Sequence, residues 1–327
     1  MISDDPSGIF FETMTSPEIP PSGRIVPRVA RAVGRFAKAA EPVDLPAPRP
    51  IDLPGRGRTC VIDAPGPEGA PTVILLHALA TTAALSWYPS VQALSEHYRV
   101  IAFDQRWHGR GIQSDHFRLA DCADDVVAVA DALGVDKFML VGYSMGGAVA
   151  QLAWKRHRDR VEGLVLAATA RNFRGKATER LWFSMTAAAM NRWGERARMG
   201  MLKVASALSD QPAGLSKAAD RVAPWAMSEF RSTSMWSIFA ALDEVGRFDS
   251  GTWINRVDVP TSVIVATRDR FIPTRRQRRL AASIPGAMTY DVEGNHAAIV
   301  MGADEFVPVL LAACRSVTRR LERRPAA

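Results

Sequence analysis

From about residue 50 onward, hydrophobic residues fall in short continuous runs that alternate with longer segments of helical spacing. Strands buried on both faces of a parallel sheet have such continuous runs, because neither face meets water. Strands are therefore predicted at Thr72–Leu76, Arg99–Phe103, Phe138–Gly142, Gly163–Ala168 and Thr261–Ala266. Helices are predicted at Asp121–Leu133, Met145–His157, Pro273–Ile284 and Ala303–Leu321. This alternation indicates an α/β fold with a mostly parallel central sheet flanked by helices.

The alternation stops between Asn172 and Asp249, where the composition is helical and no strand is evident. We interpret residues 172–249 as an all-helical insertion into one core domain formed by residues 50–171 and 250–327. A single insertion between two strands explains the break in the pattern without a second sheet.

Residues 1–49 precede the first core strand and form an N-terminal arm rich in proline, glycine and serine. Within it, Val29, Val33 and Phe36 lie on one face of a predicted short helix that also carries a period of basic residues. Such a cationic amphipathic helix either makes weak peripheral contact with an anionic membrane surface or packs against the protein's own body. Both alternatives stay open.

Composition narrows the class of protein. With 327 residues, 47% hydrophobic and 23% charged, the chain has enough apolar material for a sizeable core. The net charge of +7 is concentrated near the two ends, so the near-neutral remainder predicts no nucleic-acid partner. Three scattered cysteines and the lack of a secretory pattern indicate a reducing, cytoplasmic location. No metal and no organic cofactor are expected, because neither ligand spacing nor a dinucleotide-binding glycine motif is evident.

The segment Gly142–Gly147 carries the first chemical motif, G-x-S-x-G, between a predicted strand and a predicted helix. In this context the sharp turn exposes the hydroxyl of Ser144 at a helix N-terminus, where the backbone N–H groups favour developing negative charge. Ser144 is therefore the candidate nucleophile.

A serine nucleophile needs a base and an acid that orients the base. Of the six histidines, five lie in surface contexts, at a helix end or in loops before the nucleophile: His77, His97, His108, His116 and His157. His296 remains, after the strand-like run Met288–Val292. Asp269 follows the predicted strand Thr261–Ala266 and supplies a carboxylate at its carboxyl end. The predicted order along the chain is Ser144, Asp269, His296.

With these motifs the chain resembles the α/β-hydrolase superfamily over roughly residues 50–321. The resemblance implies that the backbone N–H groups of Met145 and Leu79 bind the oxyanion. His77-Ala78-Leu79 stands where the family usually has His-Gly-x, and Trp107 replaces the first glycine of the family's Asp-x-Arg-Gly-His-Gly-x-Ser turn. Because the family's dehalogenases and epoxide hydrolases carry an aspartate at the nucleophile position, Ser144 favours acyl transfer.

The insertion resembles the helical cap that is common in this superfamily. Its many methionines and tryptophans either line a pocket for an apolar group or merely pack the insertion against the core. As residues that contact substrate we predict Tyr143, next to the nucleophile, and three from the insertion: Met185, Trp193 and Trp236.

These features together predict a serine hydrolase, carboxylesterase-like or lipase-like, that cleaves a small-molecule ester with an apolar acyl or alkyl group through an acyl-enzyme intermediate. A cofactor-free perhydrolase resembling the non-haem haloperoxidases, a lactonase or a C–C hydrolase would use the same triad. A third class, a non-catalytic receptor or scaffold, is disfavoured because all three triad positions are filled.

Overall fold

A computed structural model describes residues 45–173 and 222–323. Within them the chain forms eight strands: β1 (Arg49–Leu53), β2 (Gly57–Ala64), β3 (Thr72–Leu76), β4 (Arg99–Phe103), β5 (Phe138–Tyr143), β6 (Val161–Ala167), β7 (Thr261–Ala266) and β8 (Met288–Val292). They make one sheet in the order β1-β2-β4-β3-β5-β6-β7-β8. The first two strands pair antiparallel with their neighbours, and all the others run parallel.

The helices of the described residues are α1 (Ala83–Ser95), α2 (Leu119–Ala132), α3 (Met145–Arg156), α4 (Val222–Arg231), α5 (Met235–Arg247), α6 (Thr274–Ser283), α7 (Ala298–Met301) and α8 (Ala303–Glu322). One 3₁₀ turn lies at Ile254–Arg256. None of the helices that the structure describes has both the length and the apolar composition needed to cross a bilayer.

The sheet separates two hydrophobic cores. Successive residues of β3 alternate between them: Ile74 and Leu76 pack with α2 and α3, whereas Val73 and Leu75 pack with α1 and α8. Since every residue of such a strand faces one core or the other, the strand has no polar face. This explains the continuous hydrophobic runs of the sequence.

The insertion leaves and rejoins the core between β6 and β7, which are neighbours in the sheet. Asn172 and Asp249 form an antiparallel bridge, and the Ser250 N–H donates to the Arg171 carbonyl over 2.8 Å. The described part of the insertion consists mainly of α4 and α5. The predicted N-terminal arm, apart from its last few residues, lies outside the described residues, so its contact with a membrane stays a prediction.

Candidate active site

Ser144 lies at the turn between β5 and α3, where φ is 54° and ψ is −114°. A positive φ is strained for a residue with a side chain. Two hydrogen bonds hold the turn: the Ser144 N–H donates to the Ala167 carbonyl, and the Thr169 hydroxyl donates to the Ser144 carbonyl over 2.8 Å. The turn also needs glycine at 142 and 146, because a Cβ at Gly146 would collide with the Leu76 carbonyl. The turn predicted from G-x-S-x-G is therefore present.

The structure brings together the three residues that the sequence selected. The Nε2 atom of His296 lies 2.9 Å from the Ser144 hydroxyl oxygen, and its Nδ1 atom lies 2.7 Å from an Asp269 carboxylate oxygen. Parallel strands end at one edge of the sheet, and the loops after β5, β7 and β8 meet there. This geometry lets the imidazole take a proton from the hydroxyl while the carboxylate stabilises the cation.

The Asp269 side chain is buried and held by further donors. One of its oxygens accepts from the N–H groups of Phe271 (2.8 Å) and Ile272 (2.9 Å). The other accepts from the amide of Gln277, which is fully buried and also accepts from the Ala266 N–H over 2.9 Å. Sequence reasoning missed Gln277, since a glutamine in a basic, surface-like helix gives no signal of this role.

Tyr143, predicted to contact substrate, also supports the histidine loop. Its hydroxyl donates to the His296 carbonyl over 3.0 Å, and the two rings lie 5.8 Å apart. Burial raises the pKa of the Tyr143 phenol, which keeps it protonated and able to donate. Tyr143 lines the cavity described below and at the same time fixes the backbone of His296.

The loop after β3 carries Leu79. His77 accepts from the Gln105 N–H at Nε2 (2.9 Å), so its Nδ1 proton donates to the Ala78 carbonyl over 2.8 Å. Burial lowers the pKa of His77 to about 4, which makes it a neutral structural group. The positive φ of this loop falls at Ala80 (65°) and not at Ala78, the position of the usual family glycine. The strained residue of this loop therefore lies two positions after the one that is usually glycine in the family.

The turn after β4 has a similar construction. Trp107, which replaces a glycine of the family pattern, has a φ of 64°, and its indole N–H donates to the Ser114 carbonyl over 2.9 Å. His108 is buried, and burial lowers its pKa to about 3. His77 and His108 therefore serve as hydrogen-bonding residues of their loops. Among the described residues, neither forms a hydrogen bond with Ser144 or Asp269.

A cavity of about 830 Å³ lies over the Ser144 hydroxyl. Its described wall includes Leu79, Met145 and Tyr143, and α5 contributes Leu242 and Val245. The other described lining residues are mostly apolar: Ala78, Thr81, Leu85, Ser86, Phe173, Arg270, Phe271, Ile272, Ala297, Ile299, Val300 and Met301. The cavity therefore suits an apolar group.

The three insertion residues predicted to contact substrate cannot be placed on this wall. Met185 and Trp193 lie outside the described residues, and Trp236 belongs to α5 with its side chain outside the described part. Leu242 and Val245, two turns further along α5, line the cavity instead, and composition alone did not single them out.

No group of three or more His, Cys, Asp or Glu side chains with metal-binding geometry occurs in the described part of the chain. The three cysteines are free thiols, and burial raises the pKa of each. None of them lines the cavity.

Comparison with known proteins decides the family. The family model described as "alpha/beta hydrolase fold" matches residues 71–302. The chain belongs to the α/β-hydrolase fold family. This confirms the predicted fold and the resemblance drawn from the sequence.

Individual relatives add the class of activity. The chain is 36% identical over 95 residues to 3-oxoadipate enol-lactonase 1 of Acinetobacter baylyi, a match that spans 29% of this chain and 35% of that relative. It is 26% identical over 256 residues to the pyrrolizixenacetamide deacetylase of Xenorhabdus hominickii, covering 76% of this chain and 91% of the relative. The crystal structure of the enol-lactonase from Burkholderia xenovorans LB400 superposes with a TM-score of 0.65 at 24% identity, covering 82% of this chain and all of that one. Family and relatives support a hydrolase, and the last likeness supports the fold.

Proposed function

We propose that this hydrolase cleaves carboxylic esters through an acyl-enzyme formed on Ser144. The observation that carries the proposal is the continuous hydrogen-bonded chain from the Ser144 hydroxyl through His296 to Asp269. His296 takes the hydroxyl proton as Ser144 attacks the carbonyl carbon, and gives it to the leaving alcohol when the ester C–O bond breaks. Water activated by the same imidazole then hydrolyses the acyl-enzyme and releases the acid.

The negative charge on the carbonyl oxygen needs donors in place before the reaction. The Met145 N–H, at the start of α3, and the Leu79 N–H are the proposed donors; both residues line the cavity. The N-terminus of α3 adds a favourable dipole at that position.

The proposed substrate is a small-molecule ester with an apolar acyl or alkyl group. The support is the cavity itself, whose described walls are largely aliphatic and aromatic and whose volume of about 830 Å³ admits a medium-sized group. A lactone is the second candidate, because two of the similar proteins are named enol-lactonases. The chemistry is the same, except that the leaving alcohol stays attached to the acyl product.

Turnover of a p-nitrophenyl ester series by the full chain, beside a series of γ- and δ-lactones, tests both candidates. We expect Ser144→Ala and His296→Ala each to lower kcat by at least about 10³-fold. The double variant should have little further loss, since the two residues act as one unit. His157→Ala is a matched control, because this imidazole contacts Asp124 over 2.8 Å, away from the site. Full turnover by Ser144→Ala would contradict the proposal, and faster cleavage of lactones than of open esters would select the second candidate.

A further inference from the structure

The described part of the insertion meets the core through a buried polar cluster that the proposed reaction does not use. We call it the Glu229 cluster; its members are Thr82, Asp104, Arg110 and Glu229. Glu229, on α4, accepts a 2.6 Å hydrogen bond from the Thr82 hydroxyl and a 3.0 Å bond from the Arg110 guanidinium. Asp104 accepts from the backbone N–H groups of Ala83 and Arg110, each over 2.9 Å.

The charges of this cluster are almost completely withdrawn from water. Asp104 and Glu229 are each 3% exposed, and the single guanidinium of Arg110 lies between them. Burial raises the pKa of both carboxyls, because their charged forms are poorly solvated at these positions. Burying a polar group costs free energy unless its partners are well placed. An apolar contact would attach α4 to the core at a lower desolvation cost. The place where these hydrogen bonds are made therefore indicates a role beyond attachment.

That position is the start of α1, directly after the loop that carries Leu79. The Thr82 hydroxyl caps α1 by accepting from the Leu85 N–H over 3.1 Å while it donates to Glu229. The preceding residue, Thr81, donates its hydroxyl to the Ala78 carbonyl over 2.9 Å. Two carboxylates therefore fix the last residues of this loop, Asp104 from the core and Glu229 from the insertion.

We propose that Glu229 is a positioning residue for the reaction: through Thr82 it holds the 77–82 loop so that the Leu79 N–H points at the oxyanion. This inference rests on the proposed function. The oxyanion site then depends on the insertion as well as on the core. The insertion also contributes to the cavity, since α5, the helix that follows α4, supplies Leu242 and Val245 to its wall. Glu229 touches no reacting atom and acts only through the loop.

The main variant is Thr82→Val, which removes the hydroxyl and leaves the Glu229–Arg110 pair in place. Thr82→Ser keeps both the cap and the bond to Glu229 and is the conservative rescue. Glu229→Gln is the second variant, because Glu229→Ala would leave the Arg110 guanidinium buried without its partner. Two controls are matched in chemistry: Ser234→Ala removes the N-cap of α5, and Glu244→Gln alters a carboxylate that accepts from the Leu119 N–H.

The readouts are kcat and KM on p-nitrophenyl hexanoate, the Ki of hexylboronic acid, which forms a tetrahedral adduct on a nucleophilic serine, and the melting temperature. For Thr82→Val and Glu229→Gln we expect kcat to fall about 10- to 100-fold with KM nearly unchanged, since a displaced oxyanion donor acts on the transition state. The Ki should rise by a similar factor. Thr82→Ser should retain most of the wild-type kcat. The double variant, Thr82→Val with Glu229→Gln, should lose no more kcat than the more affected of the two single variants.

Three results overturn the inference. One is an unchanged kcat in Thr82→Val. Another is an equal loss of kcat in the Ser234→Ala and Glu244→Gln controls when their melting temperatures match those of the test variants. The Glu229 cluster would then have only a structural role. The third is fully additive losses in the double variant. Failure of the proposed function is separate: the wild-type chain would then show no Ser144-dependent turnover of any ester or lactone.

Discussion

The backbone of Ser144 is held in a conformation that its own side chain disfavours, and the neighbours make it possible. Gly142 and Gly146 admit the close approach of β5, α3 and the end of β3, where any side chain would collide with a carbonyl oxygen. The requirement is steric and local, which is why five residues of sequence were enough to predict it.

Replacing Gly146 with alanine tests that requirement. The added methyl group would overlap the Leu76 carbonyl oxygen, so we expect Gly146→Ala to destabilise the fold by about 1–3 kcal/mol or more and to displace Ser144, with loss of turnover. Urea unfolding and ester turnover measure the two effects. Gly302→Ala is the control, because its nearest neighbour would lie 3.5 Å away, an ordinary contact. Equal stability of the two variants would contradict the steric argument.

The charge of Asp269 has a separate consequence. Asp269→Asn keeps the size of the side chain but removes the charge that stabilises the imidazolium. It also places an NH₂ group opposite N–H groups that now donate to the carboxylate. We expect kcat to fall by about 10³- to 10⁴-fold with the fold retained, as for other triads. Asp124→Asn, which makes the same change at an Asp–His contact away from the site, should lower kcat far less. A small loss in Asp269→Asn would show that another group orients His296.

The residues of the triad could be found from sequence because each belongs to a rare type in a recognisable place. Only six histidines exist, and the motif fixes the serine. Gln277 and Glu229 could not be found in this way. Their roles depend on contacts across the fold, such as the Glu229–Thr82 bond that joins residues 147 positions apart, and both residue types are common on exposed helices.

Among the elements, the buried parallel strands match their predicted bounds closely. Thr72–Leu76, Arg99–Phe103 and Thr261–Ala266 agree to the residue. The antiparallel strands β1, at the edge of the sheet, and β2, beside it, were missed, because both contain charged, solvent-exposed residues and lack the continuous hydrophobic run.

The α5 helix sets substrate preference if its apolar face forms the cavity wall. Each buried methylene contributes about 0.8 kcal/mol, so kcat/KM should rise about fourfold per carbon from acetate until the cavity is full. Leu242→Asn should flatten this dependence more than it lowers acetate turnover, because Leu242 lines the cavity. Arg247→Ala, at the exposed end of the same helix, is the control. A wild-type profile that peaks at acetate would show that α5 only packs against the core.

At the scale of the whole molecule, two buried neutral histidines make stability depend on pH. His77 and His108, with rings 5.2 Å apart, have pKa values of about 4 and about 3 in the fold, against 6.5 when exposed. The unfolded chain therefore binds more protons, and this contribution is present above pH 6.5 and is lost as pH falls toward the folded pKa values. Asp104 and Glu229, whose pKa burial raises, act oppositely: their contribution is lost as pH rises through the raised values.

A histidine variant isolates the first effect. His108→Asn keeps a donor to the Arg106 carbonyl, which the imidazole Nδ1 contacts over 2.9 Å, but takes up no proton. Between pH 6.5 and 4 we expect its free energy of unfolding to fall by about 3 kcal/mol less than that of the wild type. Chemical unfolding at several pH values measures the difference, in which the carboxyl contributions cancel. Parallel curves would show that His108 accepts a proton inside the fold.

The bridge between Asn172 and Asp249 brings the two ends of the insertion together beside neighbouring strands. A short peptide linking these points would close the core domain without changing the order of the sheet or the loops that carry Ser144, Asp269 and His296. We therefore expect the insertion to be exchangeable at this junction while the core stays unchanged. Inserts grafted from relatives at this junction should carry their chain-length preference with them, and they should work only where they bring a carboxylate that reaches Thr82.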